Sequence, residues 1–380
     1  MVPDVRLGRT REPGRVGSWA GGMIRRSSIL LRLFLLLLSA AVASGCVADR
    51  VAGGAPPTTQ EAASAPPKAP AANPFDVVFR YSPAHGLGPE KGVCRRDPSD
   101  VIRVGDRYYV WYSKVRRGPG VYRYPSGYSA TVWYATSPDG HTWTERGQAL
   151  GKGGPGAWDE AGVYTPNILV AGDKYYLTYD GAAKDHSEAS PCSEGLAVAD
   201  SPDGPWQRLP GNPVNRPTAD PARFDSFRVC DACLIVRDGR YWWYYKGRGR
   251  DRTGAETMMG LAIADRPAGP YVKHEVNPLI RSGHEVLVWP HGRGVAALVT
   301  ACGPEKDTLQ YAPDGIRFEV KARVKDPPKA AGGYRPDAFT GAADARRLRW
   351  GISMVARRPD PYLVRFDCQW LDEDPPAAPR

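Results

Sequence analysis

Three shortages in the sequence exclude whole classes of protein. The 380 residues include only six histidines, and none shows the paired Cys/His spacing of a zinc site. The longest apolar run, residues 29–42, falls short of the roughly 20 residues that a membrane-spanning helix needs. The chain from residue 47 onward has no long run of basic residues, although the net charge is +10. Half of that charge lies in the first 46 residues, so we predict no nucleic-acid partner.

The first 46 residues have the layout of a signal peptide. Arg25 and Arg26 precede the apolar run and small residues follow it, with Met23 as an alternative start. The ASGC sequence ending at Cys46 resembles a bacterial lipoprotein box and predicts lipidation of Cys46, with plain cleavage near this point as the alternative. We expect an exported protein, at the outer surface or in the periplasm. A lipid on Cys46 would be its membrane anchor.

Two segments have compositions that do not bury a core. Residues 47–74, rich in Ala and Pro, predict a flexible tether, and residues 372–380 a disordered tail. Between them lie six cysteines, an even number that would permit disulfides after export, but sequence does not choose among the pairings. Cys230 and Cys233 have redox-motif spacing, yet the extended segment VCDACLIV around them favours a buried or disulfide-bonded pair.

A repeat of about sixty residues organises the rest of the chain. Residues 97–113, 165–179 and 231–245 each contain an apolar strand, a Gly/Asp turn and an aromatic strand, which is the pattern of a β-hairpin. Looser copies begin at Glu285 and Asp337. A second signature follows four of the hairpins and predicts a turn between the outer two strands of each unit, with an aromatic residue packed behind it: SPDGHTW, SPDGPW, RPAGPY and APDGIRF.

Five units of four strands predict an all-β fold, a five-bladed β-propeller, over residues 75–371. No long amphipathic helical pattern competes with this interpretation. Residues 75–81 and 363–371 are strand-like and flank the repeat. We expect one of them to join the last blade and close the ring, because an unclosed ring would leave an exposed sheet edge.

Corresponding repeat positions should converge on the central funnel of the propeller. Four of the five residues at these positions are acidic: Asp97, Thr165, Asp231, Glu285 and Asp337. Carboxylates brought together repel one another and lose hydration, which is costly unless they perform chemistry or bind a cation. The set suits glycoside hydrolysis, in which one carboxylate activates water and a second group protonates the leaving oxygen.

Four stretches also carry a family resemblance: RRDPSDVIRVGDRYYVWYSKV, WDEAGVYTPNI, FDSFRVCDACLI and SGHEVLVWPHGRGV. They resemble the five-bladed propeller glycosidases of families 43 and 117, and more closely glycoside hydrolase family 117, the α-1,3-L-neoagarooligosaccharide hydrolases. The resemblance spans residues 76–371. It implies an inverting exo-hydrolase that removes a terminal 3,6-anhydro-L-galactose from a red-algal oligosaccharide.

The resemblance also implies roles for individual residues. Asp97 would be the general base, and Asp231 would adjust the pKa of the acid and hold the sugar. His284 would be the acid, with Glu285 as the second choice. Because successive strand residues face opposite sides, we expect only one of these two to face the sugar. Asp225 is the rival of Asp231 for its role.

Further residues are expected to contact the substrate: Trp158, Glu160, Thr165, Trp289 and Asp337. For the tryptophans, packing is an equally good interpretation. For Asp337, an ion pair with Arg335 is the alternative. No cofactor is required, although His291 could help to hold a divalent cation in the central channel. The oligomeric state stays open.

Two other functions compete with the one that the resemblance implies. The first is a propeller glycosidase that acts on another sugar, such as an arabinoside or a galactoside. The second is a carbohydrate-binding propeller that has lost catalysis. The second requires that an acid or a base be absent, and none of the proposed positions lacks its residue.

Overall fold

The computed structural model describes residues 73–116, 129–183, 190–340, 347–356 and 360–373. Their regular structure is almost entirely β-strand, in five sheets arranged in a ring, which confirms the five-bladed β-propeller. The predicted signal peptide, Cys46 and residues 47–72 of the predicted tether lie outside the described residues. Among the residues that are described, no helix is long and apolar enough to cross a membrane.

Strand β1 (Val77–Pro83) belongs to the last blade, and the first four blades follow it in chain order. The first blade contains β2 (Val93–Arg96), β3 (Ile102–Val104), β4 (Arg107–Arg116), β5 (Thr131–Ser137) and β6 (Thr144–Leu150). The second contains β7 (Gly162–Ala171), β8 (Lys174–Ala182), β9 (Ser193–Ala199) and β10 (Gln207–Arg208). The third contains β11 (Arg228–Arg237), β12 (Arg240–Arg248), β13 (Met258–Ala264) and β14 (Val272–Lys273). The fourth contains β15 (Glu285–His291), β16 (Gly294–Thr300), β17 (Thr308–Ala312) and β18 (Glu319–Arg323).

The last blade closes the ring with strands from both ends of the propeller. It contains β19 (Gly332–Gly333), β20 (Trp350–Val355) and β21 (Tyr362–Trp370), and β1 is its outermost strand. β1 and β21 are antiparallel, with Val77 opposite Trp370 and Pro83 opposite Val364. Both strand-like flanking segments therefore join the last blade, side by side. Two short 3-10 helices complete the described secondary structure, Gly254–Glu256 and Pro336–Ala338.

The turn signature lies between the third and fourth strands of the first four blades, as predicted. In the first blade, the Asp139 carboxylate accepts hydrogen bonds from the backbone N–H of His141 (2.8 Å) and Thr142 (2.7 Å), and so fixes the turn. The aromatic residue that follows each turn packs inward. In the second blade, Trp206 contacts the edge of Trp111, with ring centroids 5.8 Å apart.

Aromatic side chains of the second strands fill the spaces within and between blades. Six of them are at most 1% exposed: Trp111, Tyr112, Tyr179, Trp243, Tyr244 and Tyr245. Because burying such large rings removes much apolar surface from water, the hydrophobic effect helps to hold the blades together. The carboxylates of Asp372 and Glu373 pair with Arg347 and Arg349, so propeller contacts extend two residues into the predicted tail.

Candidate active site

Repeat-equivalent residues meet in one pocket at the entrance to the central channel. The pocket encloses about 420 Å³ of open space. It is lined by Asp97, Thr165, Asp231 and Glu285 together with His284. Four of the five predicted positions therefore converge. The pocket also contains the cations of Arg96, Arg228, Lys246 and Arg248. Carboxylates and cations thus alternate around one small volume.

Three of these residues share an unusual backbone conformation that directs their side chains into the pocket. Asp97, Thr165 and Asp231 have φ values of 50°, 45° and 59°, in the left-handed region that non-glycine residues rarely adopt. The pairing register shifts at this point in β7 and β11, and in the first blade the innermost strand divides into β2 and β3. Such bulges re-aim a side chain, and the backbone strain costs about 1 kcal/mol or more at each site.

The Asp97 carboxylate is buried beside a cation. It is 4% exposed, and its Oδ2 accepts hydrogen bonds from Arg96 Nε (2.6 Å) and Ser113 Oγ (3.4 Å). Its Oδ1 accepts none from the described residues. Ser113 Oγ in turn accepts a hydrogen bond from the backbone N–H of Thr165 (2.8 Å). The serine thus links the pocket residues of the first and second blades.

Residues equivalent to Ser113 make the same kind of link in later blades. Asp180 accepts hydrogen bonds from the backbone N–H of Asp231, at 3.1 and 3.2 Å. Lys246 forms an ion pair with the Asp231 carboxylate and donates to the carbonyl oxygen of His284 (2.6 Å). In each of the first three blades, a polar residue on the second strand therefore positions the pocket residue of the next blade.

Our sequence predictions missed this second set of residues. Its signal is visible in hindsight, because Ser113, Asp180 and Lys246 each interrupt an aromatic strand directly after its last tyrosine. A polar side chain at that point breaks a run that packing alone would keep apolar. The corresponding residue of the fourth blade, Thr300, donates to the carbonyl oxygen of Glu285 (3.3 Å).

His284 and Glu285 both line the pocket. Their Nε2 and Oε1 atoms are 3.8 Å apart. This differs from the expectation that only one of them would face it. The reason is local, since β15 begins at Glu285 and His284 precedes it, so strand alternation does not apply to the pair.

Three buried groups lie directly behind Asp231. Ligand atoms of Asp180, Cys192 and Cys230 all lie within 4.8 Å of one another. Burial raises the pKa of the Asp180 carboxyl well above its usual value, and a hydrogen bond with Cys192 together with burial raises that of the Cys230 thiol. No disulfide joins the described cysteines, and Cys233 lies past the bulge, where it contacts the carbonyl oxygen of Val288 (3.1 Å).

Among the described residues, the cluster of candidate metal ligands is not the oxygen-rich set that a divalent cation such as Ca²⁺ prefers. Their one cluster of three candidate ligands contains two cysteines, and Asp97 and Asp231 are each paired with a basic side chain. The ring of His291 packs against Phe75, at a centroid distance of 5.4 Å, at the far end of β15. The expectation of a central cation thus gains no support from His291.

Four residues that we expected to contact substrate lie outside this pocket. Trp158 stacks on Tyr179, with centroids 5.5 Å apart, and covers Gly181 so closely that a methyl carbon there would fall 2.3 Å from the indole. The Glu160 carboxylate accepts a hydrogen bond from the backbone N–H of Gly156 (2.6 Å). Trp289 is 2% exposed and contacts the His291 ring.

The fourth, Asp337, neutralises a buried arginine. Its two carboxylate oxygens accept hydrogen bonds from Arg335 at 2.8 and 2.7 Å, and Arg335 also binds Asp100 (3.0 Å). Arg335 is 2% exposed, so its charge needs a carboxylate partner, and Asp100 and Asp337 both bind it. The ion pair considered as the alternative for Asp337 is therefore present.

Asp225, the rival of Asp231, anchors a loop. It is 1% exposed and accepts hydrogen bonds from Tyr245 Oη (2.8 Å) and Lys273 Nζ (2.6 Å). Asp159 occupies the same place in the second blade, where it accepts from Arg208 (2.7 Å). Both follow an aromatic residue that covers glycines of the blade, so an aromatic–Asp pair is a structural motif of this repeat.

A buried carboxyl close to the pocket predicts a dependence of stability on pH. Burial raises the pKa of Glu194 to about 8, although its Oε2 accepts hydrogen bonds from Asn215 and Trp243. The folded protein therefore keeps a proton that the unfolded chain loses near its usual pKa of 4.5. The stabilisation is complete below that value and is lost as the pH rises through about 8.

We therefore expect Glu194→Gln to remove this pH dependence. Between pH 5 and 9, the wild type should lose about 1 kcal/mol or more of unfolding free energy relative to the variant. Thermal unfolding of both proteins across this range provides the measurement, and taking the difference between them cancels the other titrating groups. Parallel Tm profiles would show that Glu194 stays ionised in the folded protein.

Known proteins support a glycosidase assignment. The family described as "Glycosyl hydrolases family 43" matches residues 93–232. Zg3597, a family 117 glycoside hydrolase produced by the marine bacterium Zobellia galactanivorans, is 33% identical with a TM-score of 0.72, over 80% of this chain and 94% of that one. No curated protein matches the chain.

More distant structures share the fold alone. Sucrose-6-phosphate hydrolase from Lactobacillus gasseri is 14% identical with a TM-score of 0.55, over 75% of this chain and 60% of that one. The β-fructofuranosidase of Bombyx mori is 12% identical with a TM-score of 0.53, over 75% and 61%. The identity to Zg3597 is much higher than that to these two proteins, and it extends over nearly the whole length of Zg3597. The present chain therefore belongs to glycoside hydrolase family 117.

Proposed function

We propose that this protein is an inverting exo-glycosidase that removes a terminal α-1,3-linked 3,6-anhydro-L-galactose from red-algal oligosaccharides. The supporting observation is the pocket itself. It brings a cation-paired carboxylate, Asp97, together with a His–Glu pair from another blade. Inverting hydrolysis needs two such groups on opposite sides of the scissile bond.

In this mechanism, Asp97 is the general base. Arg96 and Ser113 bind its Oδ2, which leaves Oδ1 to accept a proton from the attacking water. The water attacks the anomeric carbon as the bond to the leaving oxygen breaks. The product sugar therefore has the opposite anomeric configuration.

His284 is the general acid. Lys246 holds the His284 carbonyl, and Glu285 lies 3.8 Å from the imidazole Nε2. In this assignment the protonated imidazole donates its proton to the departing oxygen. Asp231, fixed by Lys246 and by its own N–H bond to Asp180, is placed to hold a sugar hydroxyl, and Thr165 offers a second polar contact.

Export and lipid anchoring belong to the same proposal. The support is the sequence of residues 1–46, with its basic start, apolar run and ASGC box at Cys46. A lipid on Cys46 and the tether of residues 47–74 would hold the propeller beside a membrane, where oligosaccharides arrive from outside. The central divalent cation has no such support, and no step of the mechanism uses one.

Incubation of the purified protein with neoagarobiose tests the function. We expect release of 3,6-anhydro-L-galactose, and NMR during the first turnovers should show the inverted anomer. Retention of configuration would contradict the mechanism. Absence of release from every red-algal oligosaccharide would contradict the substrate, and a panel of aryl arabinosides and galactosides would then test the other glycosidase hypothesis.

A further inference from the structure

One groove of the propeller is rich in arginine. Four arginines line it, with Glu256 as the one carboxylate among its lining residues: Arg223, Arg250, Arg252 and Arg281. The groove holds about 990 Å³ of open space, more than twice that of the candidate active site. The arginines come from three separate segments, so no run of basic residues marks the groove in the sequence.

Most of these guanidinium groups are available to a ligand. Arg252 pairs with Glu256 (2.8 Å), and Arg250 lies over the ring of Phe227 (4.7 Å). Arg223 and Arg281 form no ion pair with any residue that the structure describes. Arg250, Arg252 and Arg281 are exposed. A guanidinium presents a planar pair of N–H donors that matches a sulfate or carboxylate group, so the groove favours an anionic ligand.

The groove adjoins the candidate active site through a single loop. Between β12 and β13, Arg248 and Thr257 line the active-site pocket, whereas Arg250 and Glu256 line the groove. The loop is held against the proposed acid. Gly254 lies so close that a methyl carbon there would be 3.4 Å from His284 Nδ1. Its carbonyl also accepts a hydrogen bond from Cys302 Sγ (3.1 Å).

We propose that this arginine groove binds an anionic substituent, a sulfate ester or a carboxylate, on the sugar units that follow the scissile bond. A saccharide whose terminal unit occupies the pocket would leave it past His284 and meet the groove on the other side of the loop. The inference rests on the proposed function, which determines which end of the saccharide occupies the pocket. It extends that function from a neutral terminal sugar to a charged oligosaccharide.

Binding measurements test the groove separately from catalysis. With turnover prevented by Asp97→Asn, calorimetry would compare neoagarotetraose, its 6-O-sulfated counterpart and a tetragalacturonate. We expect the sulfated or the carboxylated probe to bind at least about 10-fold more tightly than the neutral one, because charge-assisted hydrogen bonds form with it. Which charged probe binds better identifies the anion. Raised salt should reduce the preference.

The double variant Arg250→Gln/Arg281→Gln should abolish this preference while leaving affinity for the neutral probe unchanged. Arg107→Gln/Arg323→Gln removes two exposed arginines elsewhere and should change neither affinity. Equal affinities for charged and neutral probes, no binding of either charged probe, or a preference that survives the groove variant would each overturn the proposal. Charge-dependent binding without hydrolysis of neoagarobiose would contradict only the proposed function.

Discussion

Asp97→Asn should lower kcat about 10³-fold or more, because an amide oxygen does not take the proton of the attacking water. Asn has the same shape as Asp and keeps an oxygen that can accept from Arg96 and Ser113. The variant should therefore fold normally. The measurement is steady-state kinetics on the substrate that the wild type hydrolyses, with the unfolding temperature as the check on folding.

Two controls sharpen this prediction. Asp106→Asn changes an exposed aspartate in the turn between β3 and β4 and should leave kcat unchanged. Added azide, a small anion that needs no base, should partly restore Asp97→Asn and yield a glycosyl azide of inverted configuration. A rate within about tenfold of the wild type would remove Asp97 from the role of base, since general bases typically contribute more than that.

Variants of His284 and Glu285 should respond differently to the leaving group. With a natural oligosaccharide, whose leaving oxygen needs a proton, His284→Gln should lose about 10²- to 10⁴-fold in kcat/KM. With a dinitrophenyl glycoside, whose leaving group departs as an anion, the same variant should lose little. Glu285→Gln should lose less activity than His284→Gln with the oligosaccharide and little with the dinitrophenyl glycoside, because it acts through the imidazole.

The ratio of kcat/KM for the two leaving groups is the measurement that assigns the acid. Each variant is the control for the other, since the side chains lie 3.8 Å apart in the same pocket. A large change in the ratio for Glu285→Gln and none for His284→Gln would transfer the role of acid to Glu285. Equal ratios in the wild type and both variants would contradict proton donation by either residue.

The repeat made the fold and the pocket predictable to a considerable extent. A hairpin pattern that recurs at the same spacing specifies blades, and symmetry then places corresponding residues around one axis. Asp97, Thr165, Asp231 and Glu285 accordingly line one pocket. The closing strand was predictable for the same reason, because a ring with an open edge is unfavourable.

What sequence missed depends on contacts between residues far apart in the chain. Trp158 and Asp225 have the chemistry of binding residues, but their burial against glycines, tyrosines and a lysine appears only in three dimensions. Asp337 lies outside the pocket and pairs with the buried Arg335, a contact that depends on the folded ring. The positive φ values that direct Asp97 and Asp231 into the pocket also leave no signature that periodicity can reveal.

The closure of the last blade sets an order of events during synthesis. Val77–Pro83 is the first strand of the propeller to be made, and its partner, Tyr362–Trp370, is the last. The first strand therefore remains unpaired with its partner until almost the whole propeller has been synthesised. A chain that lacks β21, through early termination or proteolysis, leaves β1 unpaired and the ring open. Closure of the ring therefore depends on synthesis of the last strand.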